Sequence, residues 1–357
     1  MRKGTVKFIN RDKSTFFAVL RDRVDGYFTD HTLAKHGDYR LILKAIVMLS
    51  VLLIPYILVL SNLFSPGTLL GLAFLMGLGT AGVGMSVMHD ANHGSLSNNP
   101  RINDWFSACL YLLGGNVLNW RVQHNTLHHT YTNIHDMDED ITGKPLIRLS
   151  HGDPLHRYHR FQHIYAWPLY GLMTISFFVK DFRTTLKYSR IKDSKIIKPF
   201  TQNELITLVV SKIGYAAFAL LPLFITSLTF GQWLTGFLVI HITAGLILTT
   251  VFQLAHVVEG ADQPEPEANG VVGSAWAIHQ LQTTANFGCP RWLSWYIGGL
   301  DYQVEHHLFP SISHVHYPAL ARIVRQTAGE YDIPYNQKSS FGAALVSHVN
   351  ALKALGR

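Results

Sequence analysis

AIVMLSVLLIPYILVLSNLFSPGTLLGLAFLMGLGTAGVGMSVM, from Ala45 to Met88, runs for 44 residues without a single Lys, Arg, Asp or Glu. A membrane-spanning helix needs about 20 apolar residues, so the stretch holds two. Ser61-Asn62-Leu63-Phe64-Ser65-Pro66-Gly67 supplies the turn between them. Ile213 to Val258 repeats the feature over 46 uncharged residues, with its turn near Thr229-Phe230-Gly231. Neither turn carries charge, so each hairpin crosses and returns with every Lys and Arg left on one side. The positive-inside rule makes that side the cytoplasm.

The expected fold is all-α: an integral membrane protein with four transmembrane helices in two hairpins (about 45–64, 67–88, 208–229 and 232–256). A cytoplasmic helical cap completes it. Residues 1–44 read as a cytoplasmic N-terminal interfacial segment, 45–330 as the membrane domain and 331–357 as a cytoplasmic tail. Composition agrees, with 48% hydrophobic residues and only 15% charged. The net charge of +7 comes with no nucleic-acid motif, so it is assigned to the membrane surface and no nucleic-acid partner is expected. Two cysteines, Cys109 and Cys289, without a CxxC argue against a thiolate metal site and a disulfide scaffold. The opening MRKGTVKFINRDKSTFF lacks the apolar core of a cleaved signal.

Shorter features fill in the rest. The apolar runs Trp105–Val117 and Ile164–Val179 are placed in the interface, the second because a crossing there would put histidine clusters on opposite faces. Lys212, near the start of the third span, is expected to snorkel to the cytoplasmic surface. Ser14 can cap a helix carrying Phe16, Phe17, Leu20, Val24, Tyr27 and Phe28 at helical spacing, lying on the bilayer or packed in a core.

The chain has 20 histidines, and eight gather in four clusters beside the apolar stretches: HDANH (His89, His93), HNTLHH (His124, His128, His129), FQLAH (His256) and QVEHH (His306, His307). His89 and His93 share a helical face. His124 and His128 do so too, with His129 about 100° away on an α-helix. Gln303, one turn before His306, offers an amide oxygen to a metal or to a coordinated water. A lone HxxxH is usually incidental, and His256 alone usually a packed histidine. The clusters taken together, at one membrane face, point to a metal centre. Eight imidazoles exceed the four ligands of a closed zinc site, so two ions are expected. Imidazole alone does not name the metal. Asp90, Asn125, Asp138, Asp140, Asp301 and Glu305 are candidate outer partners, the carboxylates as acceptors of the second ring N–H. His279 is ambiguous, and His241, mid-span, reads as a packed polar group.

HDANH, WRVQHNTLHHTYTN and DYQVEHHLFP, with the spans between them, resemble the membrane fatty acid desaturase family over roughly residues 40–330. Gln303 in the third box, and WAIHQLQTTANF (Trp276–Phe287), resemble its front-end and linoleoyl-CoA-like bacterial subgroup. The resemblance implies that His89, His93, His124, His128, His129, His256, His306 and His307 ligate two irons, with Gln303 a candidate ninth ligand. It implies dioxygen as co-substrate, reduced to water, and a cis double bond introduced into a fatty acyl-CoA or acyl-lipid in the bacterial inner membrane. Many front-end members carry a fused cytochrome domain with HPGG. No HPGG occurs here, so the expected electron donor is a separate ferredoxin or small cytochrome with its reductase.

A lipid hydroxylase on the same scaffold is the nearest alternative. A histidine-rich metal transporter is another, disfavoured because its ligands belong near mid-membrane. Regioselectivity is expected from an apolar tunnel. The basic run Lys180–Lys198 reads as a positive-inside loop, or as a site for coenzyme A phosphates or an anionic headgroup.

Overall fold

The computed structural model describes residues 6–11, 13–190, 197 and 199–357. Four described helices are long and apolar enough to cross a membrane: Tyr39–Leu60, Pro66–Asn92, Gln202–Ile225 and Phe230–His256. Each begins earlier than the uncharged stretch alone indicates, because polar residues cap it. Asp38 accepts from the Arg40 amide, Ser65 from that of Thr68 ahead of Pro66, and Thr201 forms a capping box with Glu204. The chain divides into two compact units: Met1–Gly37, Gln123–Ala166 and Val251–Arg357 in the first, Asp38–Val122 and Trp167–Thr250 in the second.

The second unit holds the bundle of spans. Leu43, Ile46, Ile54 and Ile57 of the first span, and Ile206, Val210 and Ile213 of the third, turn outward. That is a liability in water and the natural arrangement in lipid. The second span is the most enclosed. Gly79 makes its close packing possible, since a Cβ there would sit 2.5 Å from the Leu52 backbone nitrogen. The two hairpin turns are tied together by Asn62, whose Oδ1 accepts from both the amide and the hydroxyl of Ser227.

Ile164–Val179 is not one span. It falls on two helices, Gln162–Gly171 and Met173–Ser189, broken at Leu172. Lys212 departs from expectation: it is buried and turned inward, donating to Asp181 and to the carbonyls of Gly114 and Phe177. Three oxygens held inside the bundle satisfy the ammonium better than a stretched stem would. Gly114, at φ +79°, ends the preceding helical turn in a conformation that favours glycine, and its carbonyl accepts from Lys212. His241 packs mid-span as a polar group between Tyr215 and Thr174, at 2.7 and 2.9 Å.

The first unit has its own apolar core. Phe16, Leu20, Val24 and Phe28 of the helix Phe16–Asp30 are buried there with Leu281, Val304, Leu308, Leu320 and Val324. The N-terminal helix is therefore core-packed, and Arg23 on its other face reaches Glu330 at 2.7 Å. Two short parallel strand pairs, Lys7–Phe8 with Val271–Val272 and Asn286–Phe287 with Gln337–Lys338, fasten the chain ends to the interior. Residues 331–357 include the helix Phe341–Leu355, whose Leu352 and Leu355 are buried. This packed helix stands where a tail was expected.

Candidate metal centre

The first box lies in the second unit. There the second span changes winding: residues Gly84–Met88 form a π-helical turn immediately before His89, a distortion common at functional sites. The His89 and His93 rings stand 4.8 Å apart, each 5.8 Å from Trp120. Asp90 places a carboxylate oxygen 3.7 Å from His89 Nδ1. Asn92 accepts from Arg121 Nε at 2.8 Å, which ties this box to the start of the next helical segment.

The remaining boxes lie in the first unit. The second occupies another π-helical stretch, Arg121–His128, followed by His129–Tyr131. A π-turn closes i→i+5 hydrogen bonds, so the fifth residue returns beneath the first. His129 is not splayed away as on an α-helix: its ring lies 4.8 Å from that of His124, with the two Nε2 atoms 3.3 Å apart. Two nitrogens about 2.1 Å from one shared ion are separated by roughly 3.0–3.4 Å at angles of 90–109°. His128, His256 and His307 form a second group, offering ring nitrogens within 4.8 Å of one another. His306 lies over His129, with ring centroids 4.6 Å apart. The Gln303 amide nitrogen is 3.1 Å from His256 Nε2, and turning the amide over would present its oxygen at the same point.

Three of the rings are held through Nδ1, each by a different element. His128 Nδ1 is 2.9 Å from Asp138, with Asp140 at 3.9 Å. Burial alone would lower the His128 pKa, but the two carboxylates override it and the net direction is up. Burial likewise opposes the Asp138 charge, and His128 with two backbone amides holds that carboxyl below its ordinary range. His306 Nδ1 faces the Tyr317 hydroxyl at 3.1 Å, and His307 Nδ1 faces Gln280 Oε1 at 2.9 Å. Because an amide oxygen only accepts, His307 carries its proton on Nδ1, which leaves the Nε2 lone pair as the one it can offer a metal. His128 Nε2 is buried with no hydrogen-bond partner. A wholly buried, unsatisfied imidazole nitrogen is costly in a protein interior and fits a metal ligand.

Asp301 and Glu305 have other partners. Asp301 accepts from Ser294 at 2.7 Å, and Glu305 from Asn286 and Tyr335. Burial raises Glu305 to about 7. Asn125 is half-buried within the second box. His279 is fully buried, its ring 4.9 Å from Phe8.

Four supporting residues escaped sequence reasoning. Gln280, fully buried, also accepts from Thr132 and donates to the His129 carbonyl at 2.9 Å. Thr132 lies 3.2 Å from His307 Nδ1. Tyr317 supports His306. Asn133, at φ +58°, donates to the carbonyls of His256, Asp262 and Thr283, while its amide bonds Asp138. Gln280 falls within the Trp276–Phe287 stretch, and Thr132 and Asn133 within the stretch around the second box, Trp120–Asn133; Tyr317 lies in no such stretch.

Spans ending in clustered imidazoles that could hold metal, with His128, His306 and His307 braced from behind, mark a membrane protein of the histidine-box class. The chain belongs to the fatty acid desaturase family, whose sequence profile matches residues 64–339. It is 35% identical to the sn-1 linoleoyl-lipid 6-desaturase of Synechocystis sp., covering 97% of this chain and 96% of that protein. It is 34% identical to the acyl-lipid (8-3)-desaturase of Physcomitrium patens, over 99% of this chain and 74% of the relative. The Delta(5) fatty acid desaturase A of Dictyostelium discoideum shares 32%, over 98% of this chain and 76% of the relative.

Proposed function

We propose that this protein is an oxygen-dependent front-end desaturase that introduces a cis double bond into a lipid-bound fatty acyl chain. The observation that carries the metal assignment is the group His128, His256 and His307, with His128 Nε2 buried and unsatisfied. We assign the ligands of two irons to His89, His93, His124, His128, His129, His256, His306 and His307, with Gln303 as a ninth. The relatives' names support the regiochemistry and favour an acyl-lipid over an acyl-CoA substrate.

When bound and reduced, the two irons supply with dioxygen the oxidising power to remove one hydrogen from each of two adjacent methylenes. Those two hydrogens, with two electrons and two protons from the donor, account for the two waters formed. The chain's own residues set the conditions. Asp138, Tyr317 and Gln280 orient the His128, His306 and His307 rings. As acceptors, Asp138 and Gln280 Oε1 keep the proton on Nδ1 of His128 and His307, and burial of the boxes keeps bulk water away. A separate ferredoxin or small cytochrome with its reductase supplies the electrons, and the site and both termini lie on the cytoplasmic side of a bacterial inner membrane.

Elemental analysis of the purified protein tests the ligand set. Two irons per chain are expected, with His128→Ala inserting normally into the membrane but losing metal and product. Zinc or no metal in the wild type, together with unchanged host lipids, would remove the oxidative reading.

A further inference from the structure

The helix Met173–Ser189 in the second unit is inverted. Its buried side is polar or aromatic (Thr174, Asp181, Thr184, Thr185, Tyr188), while Val179, Phe182 and Leu186 are 53%, 45% and 52% exposed. At about 100° per residue, those three share an outward arc of about 60°. Arg183, Lys187 and Arg190, all exposed, fill the adjoining arc on one flank. Asp181, the acid on this helix, is turned inward to Lys212. Among the described residues Arg183 and Arg190 have no acidic partner; Lys192, Asp193, Lys195 and Lys198 of the same basic run lie outside the described residues.

We propose that the outer face of this helix is a binding surface for anionic phospholipid, beyond the catalytic reading above. An apolar stripe pointing away from a polar interior needs a hydrocarbon neighbour, and the spans of the same unit are surrounded by one. The flanking basic stripe then lies at the depth of the headgroup phosphates. Val179, Phe182 and Leu186 sit in the acyl layer, and Arg183, Lys187 and Arg190 hold the phosphates. The surface is anchored behind by Asn119, which donates to the Asp181 carbonyl and the Thr185 hydroxyl at 2.9 Å. Asn119 stands two residues before the π-helical segment Arg121–His128.

The test uses the iron-loaded protein in nanodiscs of phosphatidylcholine with graded phosphatidylglycerol, with retained lipid read by native mass spectrometry. Each basic residue near the surface is worth about fivefold in affinity, so the R183Q/K187Q/R190Q variant should lose its phosphatidylglycerol preference by on the order of a hundredfold. The charge-preserving R183K/R190K variant should retain it. Unchanged iron content confirms that both variants are intact, and because lipid retention is read rather than desaturation, failure here leaves the catalytic reading standing. Equal phosphatidylglycerol retention by wild type and triple variant would overturn the proposal. So would binding of free coenzyme A at these residues without any lipid preference.

Discussion

Gln280→Leu removes the amide that links two histidine boxes and leaves an apolar side chain of similar volume in the same buried place. In the wild type Gln280 Oε1 receives the His307 Nδ1 proton and its Nε2 donates to the His129 carbonyl, both at 2.9 Å. Leucine leaves that N–H and that carbonyl buried without their partner. Each such group costs about 1–3 kcal/mol, or roughly 2–6 kcal/mol for the two. Outer partners of metal-binding histidines are worth about 10–100-fold in metal affinity or activity. Thr132, 3.2 Å from the same nitrogen, takes over part of the acceptor role, which places the expected loss of iron affinity nearer tenfold. Gln280→Glu keeps an acceptor for His307 and loses the donor to His129, so it should fall between leucine and wild type. The assay is iron retained per chain against a graded chelator series, alongside the thermal midpoint of the metal-free protein. Leucine and wild type releasing iron at the same chelator strength would refute the tautomer argument.

Lys212→Met leaves the Asp181 carboxylate buried without its counter-charge, which should cost about 3–5 kcal/mol, whereas K212M/D181L should recover most of it. A double variant no more stable than the single one, by thermal unfolding in detergent, would contradict this. His348, fully buried and bonded to the Val257 carbonyl, is lowered by burial to about 4. Between its ordinary value of about 6.5 and 4, the unfolded chain binds a proton that the folded chain refuses. Stability from this group is thus whole above about 6.5 and lost as pH falls toward 4, up to about 3 kcal/mol. His348→Gln should flatten the fall of thermal midpoint across that window, and parallel curves for variant and wild type would count against it.

The spans were legible because membrane crossing depends on uncharged length, a property written locally. Their ends were less so: the first helix begins at Tyr39, past a cap at Asp38, and runs through Arg40 and Lys44. The histidines were legible as a constellation, but not the winding that unites the second box. Nothing in HNTLHH announces a π-turn, and α-helical spacing sends His129 the wrong way. The stripe Phe16, Leu20, Val24 and Phe28 reads alike on a bilayer and in a core; its partners lie some 260–310 residues along the chain, on segments such as Val304–Leu308 and Leu320–Val324. Lys212 was placed at the surface because its acceptors, Asp181 and the Gly114 carbonyl, are brought to it by the fold. Tyr317 carries no motif, and Gln280 only a place in the Trp276–Phe287 stretch, since their roles are defined by the rings they touch.

The most direct test of the central claim is the fatty acid profile of a heterologous host expressing this chain, supplied with linoleate. A new cis double bond is expected between the carboxyl end and the existing unsaturation, on lipid-bound acyl chains, with its loss in His128→Ala. A hydroxylated product, or a profile identical to that of the His128→Ala host, would contradict it.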